Sequence, residues 1–189
     1  MKTFAILISL LMTLNAGAAA QSSESMSEAD KALVQSAFDG QLAKVQALVE
    51  KGATVDAVGG KDRTALMWAA ANGHTEIVEY LHGKGADINA RDGDNQTALM
   101  LATRRSYVPT VEFLLQNGAE VNVQSYKQQI SALMIAAAVG SETIVRMLLD
   151  HGADKSLVGL GGWTALDRAR QFEHPAVVIL LEDPSEAEG

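Results

Sequence analysis

Residues 64–90, TALMWAAANGHTEIVEYLHGKGADINA, are one of five similar units in this chain. The units begin at Lys31, Thr64, Thr97, Ser131 and Thr164, so successive starts lie 33, 33, 34 and 33 residues apart. A period this regular, carried by segments too short to bury an apolar stripe alone, belongs to a solenoid in which each unit stacks on its neighbours. It also directs the search for function towards surfaces rather than reaction centres.

Within the second unit Thr64 is the natural N-cap of a helix, its hydroxyl accepting a free backbone N–H. Leu66, Ala69 and Ala70 then share one helical face, and Gly73 interrupts the run. A second helix carries Ile77, Val78 and Leu81 on one face and ends at Gly85 in a left-handed cap. The pairs Ala69-Ala70 and Ala136-Ala137 keep side chains short where stacked helices must approach closely. Four units read as two helices and an exit turn; the fifth stops after its second helix.

The run Thr64, Leu66, Ala69, Ala70, Gly73, His74, Glu76, Ile77, Val78, Leu81, Gly85, Ala86, Asp87, Asn89, Ala90 resembles the ankyrin repeat. The likeness extends over residues 28–181. It implies an all-α solenoid of five helix–turn–helix units joined by short β-hairpin-like loops. It says little about which partner is bound, since one fold hosts many functions. Two departures stand out. The family proline at the first helical position is Ala65, Ala98, Ala132 and Ala165, a low-cost exchange because alanine is the best helix former. The family histidine is Met67, Met100 and Met134, so an apolar ladder of adaptable core filler is expected in place of a histidine network.

Residues 1–20 read as a secretory leader. Lys2 precedes an eleven-residue apolar stretch, residues 4–14, and Ala18-Ala19-Ala20 offers a cleavage site before Gln21. The apolar stretch is too short to span a bilayer. A periplasmic or secreted protein of bacterial style is therefore expected. With no cysteine there is no disulfide framework, thiolate chemistry or lipoprotein anchor. Residues 21–26 form a polar linker, residues 27–183 the repeat domain and residues 184–189 an acidic tail. Ser27 opens the first helix with Asp30 three positions on. The atypical first and fifth units are expected to cap the stack. Cleavage removes Lys2, leaving 14 of the 15 basic residues against 23 acidic ones, a balance of −9. That sign argues against nucleic acid and against anionic lipid headgroups as partners.

No catalytic constellation emerges. His74 and His174 occupy one repeat position and read as structural; His82 and His151 fall near helix ends, facing water. Asp87, Glu120 and Asp154 recur after the glycine–alanine turn, where local turn bonding is favoured over a cation site. No serine sits in a nucleophile turn, and Gly159, Gly161 and Gly162 lack the Lys-Ser/Thr of a phosphate loop. The expectation is a protein that is not an enzyme and needs no cofactor.

Position 68 and positions 71–72 of a unit point away from the stack. By resemblance, that face and the hairpin tips line a concave groove for partners. The candidate residues are Lys61, Arg63, Trp68, Asn72, Asp94, Gln96, Leu101, Arg104 and Arg105. Towards the C-terminus they continue with Tyr126, Lys127, Ile130, Ile135, Trp163, Arg168 and Phe172. Tryptophan, tyrosine and arginine are the types enriched at binding hot spots. Arginines on an acidic chain favour a partner with an acidic patch. The extra residue within residues 125–130 lengthens one tip beside the groove centre. The reading is a monomeric, exported protein that holds another protein, as accessory scaffold or as inhibitor such as an immunity protein. The alternative is a binder of small ligands or cell-wall fragments on the Trp68–Trp163 surface.

Overall fold

The computed structural model describes residues 26–182. The leader, the linker except Met26, and the acidic tail lie outside the described residues. Among those described, ten α-helices form five pairs. The pairs are α1 (Glu28–Phe38) with α2 (Leu42–Glu50), and α3 (Ala65–Ala71) with α4 (Thr75–Gly83). Next come α5 (Ala98–Arg104) with α6 (Val108–Gln116), and α7 (Ala132–Val139) with α8 (Glu142–Asp150). The last pair is α9 (Ala165–Gln171) with α10 (Pro175–Leu181). Each first helix packs on the first helix of the next pair, and each second helix on the next second helix. The stack is the all-α repeat solenoid that the period implies.

The repeated letters are punctuation with a physical cause. Thr64, Thr97, Ser131 and Thr164 each accept the backbone N–H three residues on, satisfying one of the donors a helix start leaves free. Ser27 does the same for Asp30. The exit turns follow one hydrogen-bond rule. Ala53, Ala86, Ala119 and Ala153 donate their backbone N–H to Leu48, Leu81, Leu114 and Leu148, at 2.9–3.0 Å. With Gly85 at φ 90°, this is a Schellman closure, the alanine sealing apolar contact beneath the turn.

The core runs the length of the stack. Leu66, Leu99 and Leu133 are fully buried, as are Ala69, Ala70, Ala136 and Ala137. Met67, Met100 and Met134 are 0%, 1% and 2% exposed, so the methionine ladder is interior filling. Polar rungs link the exit turns. Asn89 donates to the Gly118 carbonyl and accepts from the Glu120 N–H; Asn122 does likewise with Gly152 and Asp154. Asp56 accepts the Asp87 N–H at 3.1 Å in the same way.

The outermost unit caps the stack only in part. Asp167 stands where central units carry methionine, and it closes a capping box with Thr164. The Asp167 carboxylate accepts from the Thr164 hydroxyl at 2.7 Å and from its N–H at 2.9 Å, and these bonds, the hydroxyl's first, hold it below the ordinary aspartate range. Yet Ile179 on α10 is 73% exposed, so that helix does not end the apolar face with polar residues.

Candidate protein-binding groove

Four hairpin tips precede α3, α5, α7 and α9. Their bases close by backbone bonds from Gly59 to Arg63, Asp92 to Gln96, Ser125 to Ile130 and Gly159 to Trp163. The tips also bond to one another. The Gly93 N–H donates to Lys61 O at 3.3 Å, Tyr126 to Asp94 O at 2.9 Å and Leu160 to Gln128 O at 2.9 Å. The lengthened third tip is thus locked to both neighbours, and Gly159, Gly161 and Gly162 belong to the last tip. Among the described residues no strand is formed; one isolated antiparallel bridge joins Val58 and Thr64.

In the N-terminal half the groove residues are engaged with each other. Arg63 Nε donates to Asp92 Oδ2 at 2.9 Å, both side chains being nearly excluded from solvent. Asp92 also accepts backbone N–H groups of Asp94 and Gln96. The Arg63 guanidinium lies 4.9 Å from the Trp68 ring centroid, and Phe38 meets that ring edge-on at 5.3 Å. Gln96 passes the network on, accepting from Arg104 Nη2 at 2.8 Å. Burial pushes the Arg104 guanidinium down from its ordinary range; the Arg63 charge adds to this and Asp92 opposes it. Asn72 donates to the carbonyls of Phe38 and Trp68, bridging two units. Lys61 is exposed at the first tip.

Four candidates therefore differ from the reading as free surface. Arg63, Gln96, Leu101 and Ile135 are only 8%, 7%, 4% and 6% exposed. Arg63 and Gln96 turn inward because Asp92 supplies the partner charge and acceptors. Leu101 and Ile135 share one repeat position with Trp68 and Arg168. Their shorter side chains are covered by neighbouring units, while the longer two stay half-exposed. Ile135 remains in the groove as floor. Asp92 was not singled out in the sequence; only its distance of 29 residues from Arg63, nearly one period, hinted at the pairing.

The C-terminal half is open. Arg104, Gln128, Ile130, Met134, Ile135, Ala138, Val139, Arg168 and Phe172 line one cleft of about 270 Å³. Around it stand Tyr126 at 71% exposure, Leu160 at 63%, Phe172 at 48% and Trp163 at 41%. The Arg168 guanidinium lies 6.0 Å from the Trp163 ring centroid, and its Nε is buried with no hydrogen-bond partner among the described residues. Arg104, Arg105 and Arg168 form no ion pair among the described residues. Lys127 pairs with Asp94 at 2.6 Å, which raises the lysine pKa.

The remaining titratable groups have local duties. His74 Nε2 lies 3.1 Å from Phe38 O, and His174 Nε2 3.1 Å from Ala138 O, each tying a unit to the one before. His151 is exposed and bonds Met147 O. His82 departs from the expectation of a water-facing ring: it is half-buried, edge-on to Phe113 at 5.8 Å. In the acidic row, Asp87 accepts the Asn89 N–H and Asp154 the Ser156 N–H and hydroxyl, while Glu120 pairs with Arg91 at 2.6 Å.

Stacked helical hairpins with hydrogen-bonded tips and an aromatic–arginine cleft define a repeat scaffold for recognising protein surfaces. A family model described as ankyrin repeats (3 copies) matches residues 6–92, 33–125 and 123–188. The chain belongs to the ankyrin-repeat family. Such repeats are protein-interaction modules and generally carry no catalysis. Among the described residues no helix is long and apolar enough to cross a membrane.

Proposed function

We propose that this chain is an exported, monomeric scaffold or inhibitor that grips another protein in the groove between its hairpin tips and first helices. The observation that carries this reading is the concentration of Tyr126, Leu160, Trp163 and Phe172, all exposed, beside Arg104, Arg105 and Arg168, which form no ion pair among the described residues. Monomeric proteins seldom leave such clusters uncovered. A groove held rigid by bonded tips loses little entropy on docking. The arginines favour an acidic patch on the partner. The leader-like residues 1–20 support action in the periplasm or outside the cell.

The test is affinity capture with the wild-type chain and with a Tyr126→Ala, Trp163→Ala, Phe172→Ala variant. The reading expects a partner retained by the first and lost by the second at equal melting temperature. Equal capture by both rejects the groove. An inhibitor binds its enzyme one to one and stops turnover; a scaffold leaves turnover intact. N-terminal sequencing of the protein from its source checks export, and retention of Met1 rejects it.

A further inference from the structure

The two halves of the groove differ in how their charges are spent. In the N-terminal half Arg63 is neutralised by Asp92, stacked on Trp68 and buried. In the C-terminal half Arg104 and Arg168 line the same cleft, and neither has a carboxylate partner among the described residues. Between them the cleft is apolar, formed by Ile130, Ile135, Val139 and Phe172. Arg168 keeps a buried Nε with no acceptor among the described residues. A shielded donor without an acceptor is costly, and a charge held beside an apolar floor attracts an anion more strongly than one in open water.

We propose, building on the protein-binding reading, that recognition is confined to this C-terminal cleft. Its occupant is a partner segment carrying one large apolar side chain flanked by carboxylates. The apolar side chain fills the floor, and the carboxylates pair with Arg104 and Arg168. Guanidinium groups suit this role because they form bidentate, charge-assisted bonds with carboxylates. The chain's net charge of −8 keeps unselected acidic surfaces away, so the local positive site selects by position. The N-terminal half, saturated by its own contacts, braces Arg104 through Gln96 and takes no direct part.

The test pans a displayed library of random short peptides against the full chain, then measures the enriched peptides as capped synthetic probes. The expected sequences carry leucine, phenylalanine or a similar side chain between acidic residues. Arg104→Gln and Arg168→Gln each weaken these probes about tenfold or more, the usual scale for a charge-assisted bond. Arg146→Gln, an exposed arginine on α8 outside the groove, leaves them unchanged, affinity falls as salt rises, and each variant melts cooperatively as the wild type does. Enrichment without acidic residues, or binding indifferent to both arginines, overturns the inference. So does equal competition by a single-stranded nucleic acid, which would make the cleft a general anion collector. Peptides that bind the N-terminal half and respond to Trp68→Ala overturn it too, while leaving the groove reading standing. Peptides that ignore the whole face overturn both.

Discussion

The His74 ring occupies the space that a side chain on residue 40 would need. A Cβ added to Gly40 would lie 2.6 Å from His74 Cε1, and Gly40 sits at φ 76°. The same relation recurs between Gly73 and Tyr107 at 2.7 Å and between Gly140 and His174 at 2.5 Å. Where the turn residue is Ser106, also at positive φ, the next unit offers the small Ser141 instead of a ring. A ring in one unit and a missing side chain in the unit before are thus chosen together.

That pairing gives a coupled prediction. Gly140→Ala should destabilise by roughly 1–2 kcal/mol for the left-handed backbone alone, with further cost from the His174 ring. Gly140→Ser with His174→Ser copies the Ser106–Ser141 arrangement and should cost less than the sum of the single changes. Urea melts of the two singles and the double give the coupling. Strict additivity would mean the ring is not what excludes a side chain.

The buried Arg63–Asp92 pair should be expensive to break from one side. Asp92→Ala leaves a guanidinium without its charge partner in a nearly dry site, at a cost of roughly 3–5 kcal/mol. Arg63→Met with Asp92→Leu should recover much of that loss, since apolar replacements of similar size often match a buried pair. Thermal melts decide. A single Asp92→Ala variant as stable as wild type would remove the pair from the account of stability.

Groove residues divide into those that hold the fold and those that do not. Tyr126→Ala should change stability by no more than about 0.5 kcal/mol, as exposed substitutions do. Trp68→Ala should cost more, because the ring packs between Phe38 and Arg63; an aromatic pair contributes about 0.5–1.5 kcal/mol beyond area. Denaturant midpoints distinguish them, and equal losses would contradict the division into an engaged and an open half.

Acid should weaken the last unit. The Asp167 carboxyl is held low by the Thr164 hydroxyl and N–H, and Asp30 by Ser27 and by the Thr54 N–H. A carboxyl with a depressed folded-state pKa contributes stability that is complete above its unfolded value of about 4. That contribution is lost as pH falls through the folded value. Stability should therefore decline below about pH 4, and Asp167→Asn should decline less steeply. Parallel pH profiles for the two would remove Asp167 from the effect.

The methionine ladder should resist peroxide. Met67, Met100 and Met134 reach the reagent only when units open, so their oxidation should track unfolding, and Met100→Leu should cost less than about 1.5 kcal/mol. Mass spectrometry after mild oxidation checks this; rapid sulfoxide formation in the folded state would count against it.

The repeat, its caps and its core were legible because they are local. A threonine that bonds three residues ahead, a glycine at positive φ and apolar residues at helical spacing are decided within one unit. The period then says that units stack. The groove was legible only as a set of positions. Which members face out depends on contacts one period away: Leu101 and Ile135 are covered by neighbouring units, and Arg63 is drawn in by Asp92.

The sequence by itself determined the helical hairpin, its repetition and the face that carries tryptophan and arginine, since each follows from short-range backbone chemistry and periodicity. Only the tertiary structure decided which arginines are neutralised and which stay open, because charge pairing depends on distance in space. Residues 63 and 92 meet between neighbouring tips, whereas Arg104 and Arg168 look onto one cleft with no carboxylate of their own among the described residues.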